Sequence, residues 1–289
     1  MGDSEVLRVA AITLDFGNTL VRVDRPGLRG VVEQTADALL HAGVVADRDG
    51  FLAARSEERD RQFREEVPQF REVDIDQRAV RVLARQRGMA APPEEHRWDD
   101  RAAAAHVRPG EIEAVIDAYS AAFVDGMRPV DDAADTMRRL HEEGFVLGIL
   151  SNWPLAVTID RFAKAQGWTP FLRAIVVSQR VGTIKPHPSI FRAAEVALGI
   201  QAASGAPTSI LHVGDDWAAD VVGATRAGWR TAYLQNRQAD TPLPTSEPGD
   251  GLDGPERVVA DLVIDELADL VGGVALDRVA VAAMSRVRG

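Results

Sequence analysis

The sequence of 289 residues contains no cysteine. Disulfide bonds, cysteine nucleophiles, thiolate zinc sites and iron–sulfur clusters are therefore excluded. The chain also lacks any apolar run close to the roughly 18 residues that a membrane span needs, so we expect no membrane partner. Residues 1–8 carry two acids and no apolar signal-peptide core, which predicts a cytoplasmic location.

Basic residues are fewer than acidic ones, and only two of them are lysines. The chain has 44 acidic and 33 basic residues, a formal net charge of −11 and a pI near 5.1. Such a balance argues against a nucleic-acid partner, because phosphate backbones bind basic surfaces. Lys164 and Lys185 are the only lysines, and every other base is an arginine. Lysine chemistry is therefore easy to locate in this chain.

Five short apolar runs and a weaker sixth predict buried strands. They lie at 9–14, 145–150, 174–178, 209–213, 230–234 and, for the weaker one, 260–264. None alternates cleanly between apolar and polar residues, which is typical of parallel strands with both faces covered. Helical patterns lie between them, at 131–143, 155–167, 187–198 and 216–227. This alternation predicts an α/β fold with a doubly wound parallel sheet.

The stretch from about 24 to 128 interrupts that alternation. It contains no strand-like run, whereas apolar residues follow helical spacing near both of its ends. Residues 51–66 and 74–89 are charged and helix-prone. We therefore expect an α/β core formed by 1–23 and 129–289, with an all-helical domain inserted at 24–128.

Two further segments have a distinct composition. Residues 237–257 contain four prolines and several glycines and acids, which predicts a mobile loop. Residues 274–286 have the pattern of an amphipathic helix, which would pack on the core or on a partner. A homodimer is possible on this basis, but no sequence feature specifies the oligomeric state.

Two small motifs follow the first two predicted core strands. Asp15 comes directly after the first strand, and its carboxylate suits a nucleophile, a metal ligand or the cap of a turn. Ser151 and Asn152 follow the second strand. A hydroxyl and free backbone N–H groups at that position can hold an anionic oxygen, or they can simply cap a helix.

Two more motifs lie further along the chain. Lys185 stands before Pro186, where its ammonium can neutralise a phosphate or remain a solvated surface charge. Asp215, Asp216 and Asp220 follow the strand at 209–213. Carboxylates grouped in this way suit Mg²⁺, although acids also stabilise the start of a helix. Parallel sheets place their sites at the carboxyl ends of the strands, where all four motifs lie or nearly lie.

Together, these motifs resemble the haloacid dehalogenase-like (HAD) superfamily of hydrolases in their order, chemistry and strand context. The resemblance covers residues 9–234. The helical stretch 24–128 lies where that superfamily inserts a cap domain, between the first two motifs. The resemblance implies a Rossmann-like core, a Mg²⁺ cofactor and a small phosphorylated substrate, but it does not name the substrate.

The resemblance also implies residue roles. Asp15 would be the nucleophile, attacking phosphorus to form an aspartyl-phosphate. Ser151 and Lys185 would hold the phosphoryl oxygens and assist catalysis, with Asn152 and Thr19 completing the substrate site. The implied metal site consists of Asp15, the backbone carbonyl of Gly17, Asp215, Asp216 and Asp220. Of these, Asp216 or Asp220 would hold the metal's waters or Lys185.

Gly17 departs from the superfamily's phosphatase pattern. Phosphatases of this kind usually carry an Asp there, which protonates the leaving oxygen and later deprotonates water. Glycine transfers no proton, and general acid–base catalysis contributes about 10²–10⁴ in rate. Alkyl phosphates should therefore react slowly, and aryl or acyl phosphates should be less affected.

Three functions stay open at this point. The first is metal-dependent phosphate hydrolysis, which the acids at 215 and 216 favour. The second is haloacid dehalogenation, in which an Asp attacks carbon without a metal. The third is a catalytically weak protein that binds a phosphorylated ligand or another protein.

Arginines of the inserted domain and two histidines are secondary candidates. Arg55, Arg61 and Arg64 can bind a substrate carboxylate or phosphate, or they can form a solvated Arg/Glu helix face. His187 and His212 lie near the motifs, where we expect packing or hydrogen bonding rather than catalysis.

Overall fold

A computed structural model describes residues 6–92, 101–200, 209–235, 240–249 and 258–286. The chain forms two compact units. The α/β unit comprises residues 1–24, 128–152 and 163–289, and the helical unit comprises residues 25–127 and 153–162. The division predicted at 24 and 128 leaves the segment 153–162 in the core, whereas here it packs with the helical unit. Among the described residues, no helix combines the length and apolar character needed to cross a membrane.

The α/β unit is built on a parallel sheet. The strands of the described residues are β1 (Leu7–Val9), β2 (Ala11–Leu14), β3 (Val21–Arg22), β4 (Arg128–Pro129), β5 (Val146–Ser151), β6 (Leu172–Val177), β7 (Ile210–Gly214), β8 (Arg230–Leu234), β9 (Leu262–Ile264) and β10 (Val274–Leu276). Six of them form one sheet in the order β6-β5-β2-β7-β8-β9, and every neighbouring pair is parallel. The predicted doubly wound parallel sheet is thus confirmed. The order reverses beside β2, and open α/β sheets bind ligands at such a switch point.

The central strands are apolar because both of their faces are covered. Every residue of β2 and of β7 is buried. Each of the six predicted runs contains one strand of this sheet, with boundaries shifted by up to two residues. Burial on both faces explains why the runs are continuous rather than alternating.

The helices follow in chain order. They are α1 (Arg25–His41), α2 (Arg48–Glu65), α3 (Ile75–Gln86), α4 (Arg101–Ala104), α5 (Glu111–Gly126), α6 (Ala133–Glu142), α7 (Ala156–Ala165), α8 (Ser178–Val181), α9 (Pro188–Leu198), α10 (Gly223–Arg226), α11 (Leu270–Gly273) and α12 (Arg278–Arg286). The helix predicted at 216–227 is instead a π-helical turn, Trp217–Val222, followed by α10. Wider turns of this kind are rare and occur often at functional sites.

The C-terminal prediction is only partly correct. Residues 274–276 form β10, which pairs in parallel with β1, and the helix begins only at Arg278. Asp277 explains the boundary, because its Oδ1 accepts hydrogen bonds from the N–H groups of Val279 (3.1 Å) and Ala280 (3.0 Å). The predicted loop 237–257 lies partly outside the described residues, and its described part, 240–249, contains neither helix nor strand.

An apolar core lies between helix α9 and the sheet of the α/β unit. Helix α9 packs Ile190, Phe191 and Leu198 against Leu150 of β5 and Ile210 of β7, and all five side chains are almost fully buried. Burial of an aliphatic or aromatic side chain stabilises a fold by about 1.5–3 kcal/mol. This packing holds β5 and β7 in register on either side of β2.

The helical unit has an apolar core of its own, which α1, α2, α3 and α5 share. Leu39, Phe51, Leu83 and Ile112 represent these four helices in that core, each at most 3% exposed. Side chains of acids cap two of the helices: Asp47 accepts from the N–H groups at the start of α2, and Asp74 does so for α3. Such N-caps each stabilise a helix by about 0.5–2 kcal/mol.

A buried carboxylate links α2 to α3. The side chain of Glu58 has no exposed surface, and it accepts hydrogen bonds from Arg61 (2.8 Å), Arg81 (3.0 Å) and Arg85 (2.8 Å). Burial alone would raise the pKa of Glu58, but hydrogen bonds and charges from Arg61 and Arg81 outweigh it, so the pKa lies below its ordinary value of 4.5. Arg61 is thus an ion-pair partner within the helical unit, as expected of an Arg/Glu helix face.

Replacing this carboxylate tests its contribution to stability. We expect Glu58→Gln to lower the free energy of unfolding by about 1–3 kcal/mol, because three arginines lose a charged acceptor. Since the folded pKa is depressed, this contribution is present above pH 4.5 and is lost as the pH falls through the folded pKa. Urea denaturation of both proteins at pH 7 and at lower pH measures the difference. Glu57→Gln is the matched control, because its carboxylate is 65% exposed. Equal losses in the two variants would contradict the prediction.

Candidate active site

The candidate residues lie at the carboxyl ends of three adjacent strands. Asp15 follows β2, Ser151 ends β5, and Asp215 follows β7. The register aligns Leu14 with Ile149 on one side and with Val213 on the other. The backbone N–H of Asp15 donates to the Val213 carbonyl at 2.8 Å, which extends the ladder to the nucleophile position.

Lys185 is the centre of the site. Its Nζ donates to Asp15 Oδ1 at 2.7 Å, to Asp220 Oδ1 at 2.6 Å and to the Leu150 carbonyl at 3.0 Å. The residue is only 3% exposed. An ammonium carries three N–H donors, so these three acceptors fix its position completely.

Asn152 holds the backbone that carries Lys185. Its Oδ1 accepts from the Lys185 backbone N–H at 2.6 Å, and its Nδ2 donates to the Lys185 carbonyl at 3.1 Å. This paired contact ties the end of β5 to the segment before α9. The side chain of Asn152 is therefore committed to Lys185, which leaves its backbone N–H as the group available for an anion.

Asp220 is held by a second set of polar contacts. Its Oδ1 lies 3.0 Å from His212 Nε2, and its Oδ2 accepts from the Asp216 backbone N–H at 3.0 Å. His212 Nδ1 lies 2.8 Å from the hydroxyl of Thr13, its register partner on β2. The hydrogen-bonding role expected of His212 is thus observed, and His187 likewise accepts from the Ser189 N–H in capping α9.

Acidic groups outnumber basic ones at this edge of the sheet, and the pKa values of these groups are shifted. Burial raises the pKa of Asp15 against the opposing effect of Lys185. Burial also raises the pKa of Asp215 well above 3.8, and the charges of Asp15 and Asp220 add to the effect. The pKa of Asp220 lies below its ordinary value, because Lys185 and His212 outweigh the effect of its burial. Burial would lower the pKa of Lys185, but the two carboxylates on its Nζ hold it above the ordinary value.

These carboxylates fit a hard divalent cation. Oxygens of Asp15, Asp215 and Asp220 all lie within 4.8 Å of one another. One ammonium offsets only part of this charge, and the pKa of Asp215 is raised by burial and further by the charges of Asp15 and Asp220. Mg²⁺ prefers a few carboxylates together with water and substrate oxygens, which matches this set of donors.

The contacts of Asp216 differ from those of the other three carboxylates. Its Oδ1 accepts from the N–H groups of Ala218 (3.1 Å) and Ala219 (3.2 Å) and from the Ser246 hydroxyl. Burial raises the pKa of Asp216 to about 6, with a further contribution from the charge of Asp220. Its described contacts are those of the cap that begins the π-helical turn.

The remaining candidates surround Asp15. The Thr19 hydroxyl lies 3.5 Å from Asp215 Oδ1, and Gly17 is buried in the turn between β2 and β3. Asn18 occupies the left-handed region at φ 59°, so the turn reverses tightly behind the carboxylate. Ser151 is 1% exposed, and its hydroxyl forms no hydrogen bond with the described residues. It is therefore available to a ligand.

The sequence reasoning missed two contributors. Ser246 holds Asp216 and also accepts from the Ala218 N–H at 2.7 Å, while Thr241 accepts from Asn18 Nδ2 at 3.0 Å. Both belong to the proline-rich loop, where no local pattern distinguishes them. Thr13 carries a weak signal, because a polar residue inside a buried strand needs a partner.

The comparisons with known proteins agree with this geometry. The family model of haloacid dehalogenase-like hydrolases matches residues 9–228. The ribulose-1,5-bisphosphate 5-phosphatase of Halopiger xanaduensis is 27% identical over 64% of this chain and 72% of its own length. The glyceraldehyde 3-phosphate phosphatase of Methanopyrus kandleri is 28% identical over 55% of this chain and 66% of its own length. A 2-haloacid dehalogenase structure from Pseudomonas syringae shares the fold, with a TM-score of 0.59 and 18% identity over 92% of this chain and 97% of its own. The chain therefore belongs to the haloacid dehalogenase-like hydrolase family.

Proposed function

We propose that the protein is a Mg²⁺-dependent phosphohydrolase acting on a small phosphorylated metabolite through Asp15. The cluster of Asp15, Asp215 and Asp220 around one lysine carries the proposal. The phosphatase names of the sequence relatives support it. The fold likeness to a dehalogenase does not weigh against it, because one fold supports many chemistries.

Asp15 would attack the phosphorus of the ester with a carboxylate oxygen. The P–O bond to the leaving group breaks as the new P–O bond forms, which gives an aspartyl-phosphate and a phenolate, or an alkoxide that takes a proton from water. Water then attacks the phosphorus of this intermediate, releases inorganic phosphate and regenerates the carboxylate. Attack of an anion on a dianion requires positive charge at the site.

The positive charge would come from two sources. The Lys185 ammonium, beside Asp15, would offset the charge of the phosphoryl oxygens, and the Ser151 hydroxyl and the Asn152 N–H would donate to those oxygens. A Mg²⁺ ion held by Asp15, Asp215 and the Gly17 carbonyl would supply further charge neutralisation when bound. Asp220 positions Lys185, and Asp216 fixes the turn that carries Asp220. Preorganised charges of this kind usually provide the largest share of catalysis.

The acids also favour phosphoryl transfer over dehalogenation. Displacement of a halide from carbon generates no dianion and needs no metal. Asp215, whose pKa is raised by burial and by the charges of Asp15 and Asp220, would then have no cation to bind. That carboxylate has a role in the site if it binds a cation.

An assay of an aryl phosphate with and without Mg²⁺ tests the proposal. Because Asp15 is the proposed nucleophile, we expect turnover that requires Mg²⁺ and falls by at least about 10³-fold in Asp15→Asn. Asp131→Asn is the control, since the side chain of Asp131 is 90% exposed and should leave the rate unchanged. A folded wild-type protein that is inert with Mg²⁺ would overturn the proposal. Release of chloride from a 2-haloacid without metal would favour dehalogenation instead.

Gly17 generates a second prediction. We expect Gly17→Asp to raise the hydrolysis of alkyl phosphates by about tenfold or more, because it introduces an acid that can protonate the leaving oxygen. Aryl phosphates should gain less, since a phenolate leaves without a proton. Gly17→Asn is the matched control, with the same size and no acid. Equal gains in both variants, or the same gain for both substrates, would show that proton transfer is not the missing step.

Gly214 generates a third prediction. A Cβ at this position would lie 2.1 Å from Asp220 Oδ2 and 2.2 Å from its Cγ, so Asp220 must move in Gly214→Ala. We expect turnover to fall by about tenfold or more, because Lys185 loses its fixed position. Gly273→Ala is the control, since its nearest contact would be Leu262 Cδ1 at 3.9 Å. Full activity in a folded Gly214→Ala protein would show that Asp220 does not position Lys185.

A further inference from the structure

Three side chains of the helical unit keep donor groups that have no hydrogen-bond acceptor among the described residues. Arg55 lies on α2, Arg78 on α3 and Tyr119 on α5. Arg78 is 5% exposed and Tyr119 is 4% exposed, while Arg55 is half-buried. Among the described residues, neither arginine forms an ion pair.

Only Nε of the Arg78 guanidinium has a hydrogen-bond partner among the described residues. Its Nε donates to Gln62 Oε1 at 2.8 Å, and the fully buried Gln62 donates through Nε2 to the Asp74 carbonyl at 3.4 Å. Within the described part of the chain, no hydrogen bond engages the two Nη groups of Arg78. The guanidinium of Arg55 and the hydroxyl of Tyr119 are also without hydrogen-bond partners there.

These three groups lie within electrostatic range of one another. Burial and the charge of Arg55 lower the pKa of Arg78 to about 9, which is a large change for a guanidinium. Burial raises the pKa of Tyr119, and the two arginines oppose that effect. The charge of Arg59 adds to the repulsion on both arginines, and among the acids that act on Arg78 only Glu72 is prominent. The two cations therefore act on each other electrostatically, and among the described residues no carboxylate forms an ion pair with either of them.

The neighbouring Glu58 shows that this arrangement is not a general property of α2. One helical turn after Arg55, that single carboxylate serves three arginines at 2.8–3.0 Å. Buried charges in proteins are normally paired, and an unpaired one is costly. An arginine pair left without a carboxylate indicates a ligand that supplies the negative charge.

We propose that Arg55, Arg78 and Tyr119 form a binding site for a small oxyanion, either a phosphate group or a carboxylate. Guanidinium groups bind both through paired, charge-assisted hydrogen bonds, and a tyrosine hydroxyl adds a third donor. The anion has two candidate sources, the acidic group of a small organic ligand or a free inorganic anion. The binding site does not rest on the proposed function.

Titration with inorganic phosphate tests the site without turnover. Calorimetry on the full chain in EDTA, to exclude metal, would measure the Kd of wild type, Arg55→Gln and Tyr119→Phe. We expect Arg55→Gln to weaken phosphate binding about tenfold or more and Tyr119→Phe to weaken it by a smaller factor. Arg64→Gln is the matched control, because Arg64 is an exposed arginine on the same helix and should bind as wild type does.

A stability measurement separates ligand binding from a structural role. Without an added anion, Arg55→Gln should melt no lower than wild type, because it removes a repelled charge. Added phosphate should then raise the melting temperature of wild type more than that of the variant. A structural role predicts the reverse, a lower melting temperature of Arg55→Gln at every phosphate concentration. Arg78→Gln repeats the comparison at the more buried position.

Thermal shifts with two ligands identify the source of the anion. If an organic acid supplies it, a bisphosphate or phosphorylated acid should raise the melting temperature of wild type more than inorganic sulfate does, and Arg55→Gln should abolish that difference. If a free anion supplies it, sulfate should be as effective as the organic ligand, and Arg55→Gln should abolish the effect of both. Equal phosphate binding by wild type, Arg55→Gln and Arg78→Gln would overturn the proposal. An inert enzyme with Arg55-dependent binding would instead overturn the proposed function and leave this site standing.

Discussion

The contact on which the α/β unit's site depends is the ammonium of Lys185 between the carboxylates of Asp15 and Asp220. Three acceptors at 2.6–3.0 Å exhaust its donors, so the lysine has one position. Asn152 fixes the backbone behind it, and the His212–Thr13 pair fixes Asp220 in front of it. These partners come from β2, β5, β7 and the π-helical turn, or from the residues that directly follow those strands. The lysine therefore also holds those strand ends together.

Charge is what distinguishes this arrangement from an ordinary buried ion pair. A balanced pair would leave no carboxylate over, whereas here Asp215 lies beside Asp15 and Asp220 with no lysine of its own. Its raised pKa expresses the cost of burying a third negative charge. Such a cost persists in a fold when a ligand offsets it, and structure that is strained or unbalanced tends to lie at functional sites. A divalent cation would restore the balance.

The sequence predicted the parts whose signal is local. The continuous apolar runs at 9–14 and 209–213 identified the central strands, and the acids that follow them identified the site. Lys185 stood out because lysine is so rare in this chain. The sequence analysis did not anticipate the strand at 274–276, because its pairing with β1 depends on residues about 270 positions earlier. Ser246 was missed for a related reason, since its contact with Asp216 is set by the tertiary fold and not by its neighbours in the chain.

The helical unit has an unpaired charge of the opposite sign. At Glu58, arginines outnumber the carboxylate, yet each one finds an acceptor there, and the cluster is complete as it stands. At Arg55 and Arg78 the cations have no such acceptor within the described residues. In the α/β unit the surplus is negative and calls for a cation, while in the helical unit it is positive and calls for an anion. Gly17 adds a chemical constraint of its own at the reacting centre. Without an acid at position 17, the rate depends more heavily on the leaving group and on binding energy, so contacts remote from the reacting phosphorus gain importance.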